Sequence, residues 1–287
     1  MSRAPLGVLG GSGLYRMAAL TSVREERLRT PFGEPSDAFV LGRLGERDVI
    51  FLARHGRGHR LSPTEINYRA NLCGFKMLGV ERVVSISAVG SLREELRPLD
   101  VVLPDQFIDR TRQRVSTFFG GGVVAHVSFA DPVCAELRGL LAQAARATGV
   151  RLHDGGTYLC MEGPQFSTRA ESHLYRSWKA DVIGMTNLQE AKLAREAELC
   201  YATAAMVTDY DCWKEDEAPV TVDEIVARLG ENAENAQAIV ARALAALPAT
   251  RGCGCGDALK NAILTDRAQI GPEARERLRP IAGRWLD

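Results

Sequence analysis

Short apolar runs alternate with stretches of helical period along the whole 287-residue chain, and this alternation narrows the architecture more than any other feature. Residues 6–10 read as a first strand, ending in the turn Gly10-Gly11-Ser12-Gly13. Residues 38–44 and 48–54 read as a hairpin around Gly45-Glu46. Residues 66–78 have helical spacing, 82–88 read as a buried strand, and 101–103 and 106–108 are short strands divided by Pro104-Asp105. An amphipathic helix over 132–148 stops before Gly149. The second half continues in kind, with strands at 157–161, 181–185 and 201–208 alternating with helices at 168–178 and 188–198. A long helix over 222–247, broken near Gly230, precedes two short helical patterns at 257–264 and 273–281. No repeat, low-complexity run or Pro/Ser-rich linker interrupts the order. The fold expected is α/β: a single domain over residues 1–287 with a mixed central β-sheet flanked by helices, residues 248–287 forming a C-terminal helical extension. Such sheets receive ligands at the carboxyl ends of their strands, and the polar motifs of this chain fall there.

Charge and composition remove several functions. Lys+Arg and Asp+Glu both number 36, so the basic excess that displaces counterions from nucleic acid is missing, and no nucleic-acid partner is expected. The N-terminus has no signal-peptide core, and no stretch approaches the ~18 apolar residues of a membrane span. A cytoplasmic location follows as an expectation. The seven cysteines sit mostly in apolar segments, as reduced core thiols do. Cys253-Gly254-Cys255 is the exception. With no neighbouring His or Cys in the sequence to complete a zinc set, it reads as a late disulfide or a plain loop ahead of a functional thiol pair.

Five strand ends carry chemistry. Gly10-Gly11-Ser12-Gly13 brings backbone N–H groups and a hydroxyl close to an anion. It fails as a dinucleotide fingerprint, because Arg16 occupies the third-glycine position. Arg54-His55-Gly56-Arg57 offers guanidinium groups for a two-pronged phosphate clamp, and Ser87-Ala88-Val89-Gly90 a hydroxyl beside a glycine. Glu162-Gly163-Pro164-Gln165-Phe166 forces a bend, with Phe166 either a core aromatic or a flat face for a planar ligand, and Thr168 or Ser167 a helix cap with Glu171. Thr208-Asp209-Tyr210-Asp211-Cys212-Trp213 follows an apolar strand and sets two carboxylates on one side of an extended chain. Like charges held close, and partly dehydrated, drive one carboxyl upward until it can serve as a proton donor. Turn and capping roles remain the alternative for each motif taken alone. Metal coordination there is not expected, since no His or third carboxylate stands at ligand spacing.

In this order and character, Gly10–Gly13, Thr30-Pro31-Phe32-Gly33, Ala53–Arg57, Ser87–Leu92, Asp105–Thr111, Glu162–Glu171 and Thr208–Trp213 resemble the methylthioadenosine phosphorylases, the trimeric branch of the purine nucleoside phosphorylases. The resemblance implies a purine nucleoside phosphorylase-like fold and phosphorolysis of 5'-deoxy-5'-methylthioadenosine to adenine and 5-methylthioribose 1-phosphate. It implies that Ser12, Arg54, His55, Ser87, Ala88 (by its N–H) and Thr186 hold phosphate. Phe166 and Ser167 would line the base pocket and Met185 the ribose. Asp209 would protonate purine N7, Asp211 would accept from the adenine amino group, and His126, Val222, Ile225 and Val226 would border the 5' substituent. The partners implied are the nucleoside and inorganic phosphate as co-substrate, with no organic cofactor, no metal and no membrane, in a homotrimer or a dimer of trimers. Ser167 and Asp209 stand where 6-oxopurine enzymes of the family carry Glu and Asn, which favours 6-aminopurines. A 6-oxopurine or methylthioinosine phosphorylase, or one acting on 5'-deoxy- or 5'-halo-adenosine, is the alternative on the same fold.

Overall fold

The computed structural model describes residues 4–11, 13, 14, 17–214 and 222–286, and the backbone alone at 222–227 and 229. Four parallel strands run through its centre: β1 (Leu6–Gly10), β4 (Arg47–Ala53), β5 (Arg82–Ser91) and β11 (Cys200–Asp209). β1 lies between β4 and β5, pairing Gly10 with Ala53 and Leu9 with Ser85, and β11 lies along β5, pairing Ala205 with Ser87. All four carboxyl ends therefore emerge at one edge. β2 (Leu20–Glu26) and β3 (Phe39–Leu44) extend the sheet antiparallel beyond β4. On the other side β10 (Val182–Gly184) is antiparallel to the end of β5 and parallel to β9 (Thr157–Met161), which pairs with β7 (Gln106–Arg110). β6 (Val101–Leu103) joins β11 antiparallel and β8 (Leu152–Asp154) parallel, giving a mixed sheet of eleven strands among the described residues.

The central strands are apolar without alternation because both their faces are covered. Leu9, Ile50, Leu52 and Val83 face a cluster that includes α1 (Tyr68–Met77), α4 (Asn187–Glu196) and α6 (Pro272–Leu286). Leu6, Val8, Val49, Phe51 and Val84 face the other way, against α2 (Ala135–Thr148) and α5 (Val222–Ala246). Gly74 lets α1 close on the sheet, since a Cβ there would lie 2.5 Å from the Phe39 ring. α3 (Arg169–Ser177) begins in a capping box, Thr168 accepting from the Glu171 N–H and Glu171 from the Thr168 N–H.

Two expectations about elements change, and the edge strand β2 was not foreseen. α5 is continuous through Gly230, because Ala236, Ile239, Val240, Ala243 and Leu244 bury one stripe and outweigh the ~1 kcal/mol that a helical glycine costs. Residues 257–264 form no α-helix. Their backbone pairs instead with 124–126, where Leu264 N–H reaches the Val124 carbonyl at 2.9 Å and Ala125 bridges Ile263. β2 has no apolar alternation and lies on the exposed edge, so nothing in its sequence announced it. The segment after α5 packs into the core through Leu259, Ile270, Leu278 and Ile281. None of the described helices is long and apolar enough to cross a membrane.

Candidate active site

A buried polar network lies under the shared strand ends. The Arg54 guanidinium donates through Nε to Glu190, through Nη1 to the Ile86 carbonyl at 3.0 Å, and through Nη2 to Ser85 Oγ at 2.6 Å and the Leu9 carbonyl at 3.2 Å. Glu190, in the first turn of α4, also accepts from Ser85 and from the Tyr201 hydroxyl, each at 2.8 Å. Asn187 of the same turn donates to Thr203. Every member is buried, and such satisfied networks hold a single geometry. The open two-pronged clamp expected of Arg54 is therefore corrected: Glu190 takes both prongs, because a guanidinium this deeply buried needs a fixed counter-charge. Among the described residues one Nη1 hydrogen remains uncommitted.

The other anion donors surround this network. Ser87 is buried, with Oγ 3.2 Å from the Tyr158 hydroxyl. Thr186 is the N-cap residue of α4 and makes no side-chain capping bond. Ala88 is exposed on β5, opposite Met206 of β11. His55 donates Nδ1–H to the Leu61 carbonyl at 2.8 Å, the role of that nitrogen being set by its acceptor, and its ring stacks on His59. Burial, and next the Arg54 charge, hold its pKa down at about 4, so the ring is neutral. Ser12 lies outside the described residues.

The carboxylate pair forms at the end of β11, though not on an extended chain as expected. A register shift between Val207 and Asp209 re-aims Asp209, and after Tyr210 the chain turns into a short 3-10 helix at Asp211–Trp213, with Asp211 at φ 31°. Asp209 accepts from Thr208 Oγ1 at 2.5 Å and from the Asp211 N–H at 3.0 Å. Asp211 accepts from Ser172 of α3 at 2.5 Å. Burial raises its pKa, and the charge of Asp209 adds to the rise. A Cβ at Gly90 would lie 3.4 Å from Asp209 Oδ2 and from Asp211 Cβ, so this glycine keeps the floor beneath both groups low.

Ser167 reaches the same place, its carbonyl accepting from Cys212 at 3.2 Å. Phe166 beside it is 68% exposed, which removes the core-aromatic reading. Met185 packs on Gly163, where a Cβ would meet its sulfur at 2.6 Å. α5 covers the end of β11, Arg228 donating to the Thr208 carbonyl at 2.6 Å and Asn232 to Val207 at 3.1 Å. Val222, Ile225 and Val226 belong to its first turns, but their side chains lie outside the described residues. His126 is not brought beside the carboxylates of its own chain. It is exposed, its N–H bonds to the Ala262 carbonyl, and it lines a cavity with Cys134, Cys255 and Arg195. Cys134 binds the Tyr201 carbonyl at the start of β11, ~25 Å of strand from Asp209.

Sequence reasoning missed Glu190, Ser172 and Arg114. Arg114 is almost wholly buried, and it donates to Glu162 at 3.0 Å, to Gln189 at 3.0 Å and to the Met185 carbonyl, so it ties the Met185 and Glu162 loops together. An acid in the first turn of a helix otherwise rich in Leu and Ala was the only signal for Glu190, and it is an ordinary one.

The phosphorylase superfamily model matches residues 5–245. An S-methyl-5'-thioadenosine phosphorylase of Koribacter versatilis is 63% identical over 284 residues, covering 99% of this chain and 97% of that protein. Another, from Hyperthermus butylicus, is 52% identical and covers 91% and 96%. A methylthioadenosine phosphorylase from an antarctic soil metagenomic library superposes with a TM-score of 0.94 at 51% identity, over 98% of this chain and 99% of that one. The Schistosoma mansoni methylthioadenosine phosphorylase, in complex with adenine, gives 0.84 at 36% identity over 90% and 96%. With identity of this order along nearly its full length, on the same fold, the chain belongs to the methylthioadenosine phosphorylases of the phosphorylase superfamily.

Proposed function

We propose that the protein is a pentosyltransferase that cleaves 5'-deoxy-5'-methylthioadenosine with inorganic phosphate, yielding adenine and 5-methylthioribose 1-phosphate. The observation that carries this reading is the adjacency of Asp209 and Asp211 at the end of β11, beside the anion donors at the ends of β4 and β5. As the C1'–N9 bond breaks, positive charge builds on the sugar and negative charge on the purine. Asp209 delivers a proton to N7, and a phosphate oxygen supports the sugar cation and then bonds to C1'. Asp211 accepts from the 6-amino group, Phe166 and Ser167 flank the base, and Met185 lies against the ribose.

Ser12, Ser87, the Ala88 N–H, Thr186 and the remaining Nη1 hydrogen of Arg54 donate to the phosphate. His55 acts differently. With Nδ1–H committed to Leu61, its Nε2 is left as an acceptor, suited to the single O–H of hydrogen phosphate. Val222, Ile225 and Val226 line the 5' side. The subunits form a homotrimer in the cytoplasm. Purified protein incubated with methylthioadenosine, adenosine and inosine, with and without phosphate, tests this by release of free base. Phosphate-dependent release, fastest from methylthioadenosine, is expected. Release without phosphate, or faster cleavage of inosine, would overturn it.

A further inference from the structure

At the end of β11 opposite the carboxylates, the fold gathers four thiols. Cys134 caps the N-terminus of α2, Cys200 opens β11, and Cys253 and Cys255 flank Gly254 in the segment that follows α5. Their four Sγ atoms all lie within 4.8 Å of one another, and Cys200 and Cys253 approach to 3.3 Å. No neighbouring cysteine in the sequence completes the Cys-x-Cys pair. The tertiary structure supplies two. We propose that Cys134, Cys200, Cys253 and Cys255 bind one thiophilic divalent cation, zinc by ligand softness, as a tetrahedral clasp joining the C-terminal segment to the α2–β11 junction.

Mutual convergence is the argument. Two disulfides would need only two close pairs, whereas tetrahedral thiolate ligation needs every sulfur near the other three. A Zn–S distance of ~2.3 Å sets the sulfurs ~3.8 Å apart, which these positions meet with shifts of about 1 Å or less. Charge is arranged to match. The α2 N-terminus points its positive end at Cys134, whose side chain makes no capping bond. Arg251, anchored by the Glu198 carbonyl at 2.7 Å, lies near enough to Cys200 and Cys253 to interact with their charge, so a guanidinium faces the negative charge that four thiolates would leave on the ion. Binding displaces the thiol protons to solvent, and no redox step is involved. The cavity of about 500 Å³ lined by Cys134, Cys255 and His126 gives the ion an entry path. Its distance from Asp209, most of the length of β11, makes the ion structural.

Full-length protein, purified without a metal-affinity tag and under reducing conditions, is to be assayed for metal by plasma mass spectrometry. One zinc per chain, released by a thiol-specific mercurial, is expected. Cobalt(II) exchanged into the same protein is expected to give thiolate charge-transfer absorption and tetrahedral visible bands. Cys255→Ser should lose the metal and melt about 5–10 °C lower while keeping phosphorolysis at 25 °C within about twofold. The proposal fails if the protein is metal-free and takes up neither ion on dialysis. It fails equally if intact mass shows the hydrogens lost to disulfides, or if bound zinc persists in both Cys255→Ser and Cys134→Ser. Because metal content is read directly, its failure is distinguishable from a failure of the phosphorolysis reading.

Discussion

At the scale of single residues, Asp209 and His55 carry the chemistry in opposite ways. Asp209 has to give up a proton that an amide cannot hold at N7, so Asp209→Asn is expected to lower kcat/KM for 6-aminopurine nucleosides by at least ~100-fold. Near-normal steady-state rates would remove it as the acid. His55 is useful because it stays neutral. Its pKa, pressed down to about 4 by burial and by Arg54, lies below that of the unfolded chain. A histidine shifted in that direction supports folding fully above ~6.5, loses its contribution as pH falls from there, and has lost it at about 4, on the order of 3 kcal/mol at ~1.4 per pH unit. Urea denaturation at pH 7 and pH 4.5 should show that loss in the native protein and a shallower one in His55→Gln. Equal slopes would assign the effect to other groups. The sequence made both residues visible by setting them at strand ends. It could not show that Arg54, one residue before His55, spends its guanidinium on a buried glutamate 136 positions away.

Between elements, the site depends on how closely β9, β10 and β5 approach. Gly184 of β10 has no side chain where Tyr158 of β9 crosses it, and a Cβ there would stand 1.9 Å from the tyrosine oxygen. That oxygen holds Ser87 of β5. Gly184→Ala must push the buried ring aside, at a cost of about 1–3 kcal/mol. It should also raise the phosphate KM by about tenfold through loss of the Ser87 contact, with a much smaller change in kcat. An unchanged phosphate KM beside a lowered melting temperature would mean that Tyr158 only packs. Strand–helix alternation made most of these elements legible, because a strand covered on both faces is apolar throughout and an amphipathic helix repeats every 3.6 residues. β2 escaped because an exposed edge strand has no buried face to write a period into its sequence.

Across the whole molecule, the residues after α5 are part of the core. Glu198, buried at the turn into β11, accepts from the Leu259 N–H at 3.1 Å, Trp285 Nε1 at 2.9 Å and Arg284 at 2.9 Å, so one carboxylate gathers three points of the C-terminal segment. Leu278 of α6 is wholly buried with Phe75, Phe118 and Leu193 in the cluster beneath β1 and β4. Leu278→Ala is expected to cost about 2–5 kcal/mol in denaturant unfolding of the entire domain, in one transition. A separate early transition would show that the segment is merely attached.

The sequence by itself determined the α/β class, the order of nearly all strands and helices, and the strand ends where polar groups cluster, because these are written in local periodicity and turn chemistry. Only the tertiary structure decided which polar groups meet. The Arg54–Glu190 pair, the Ser172–Asp211 bond, the removal of His126 from its own chain's carboxylates and the gathering of four cysteines all join residues far apart in the chain. Their proximity follows from sheet order and helix packing, and no local pattern records it.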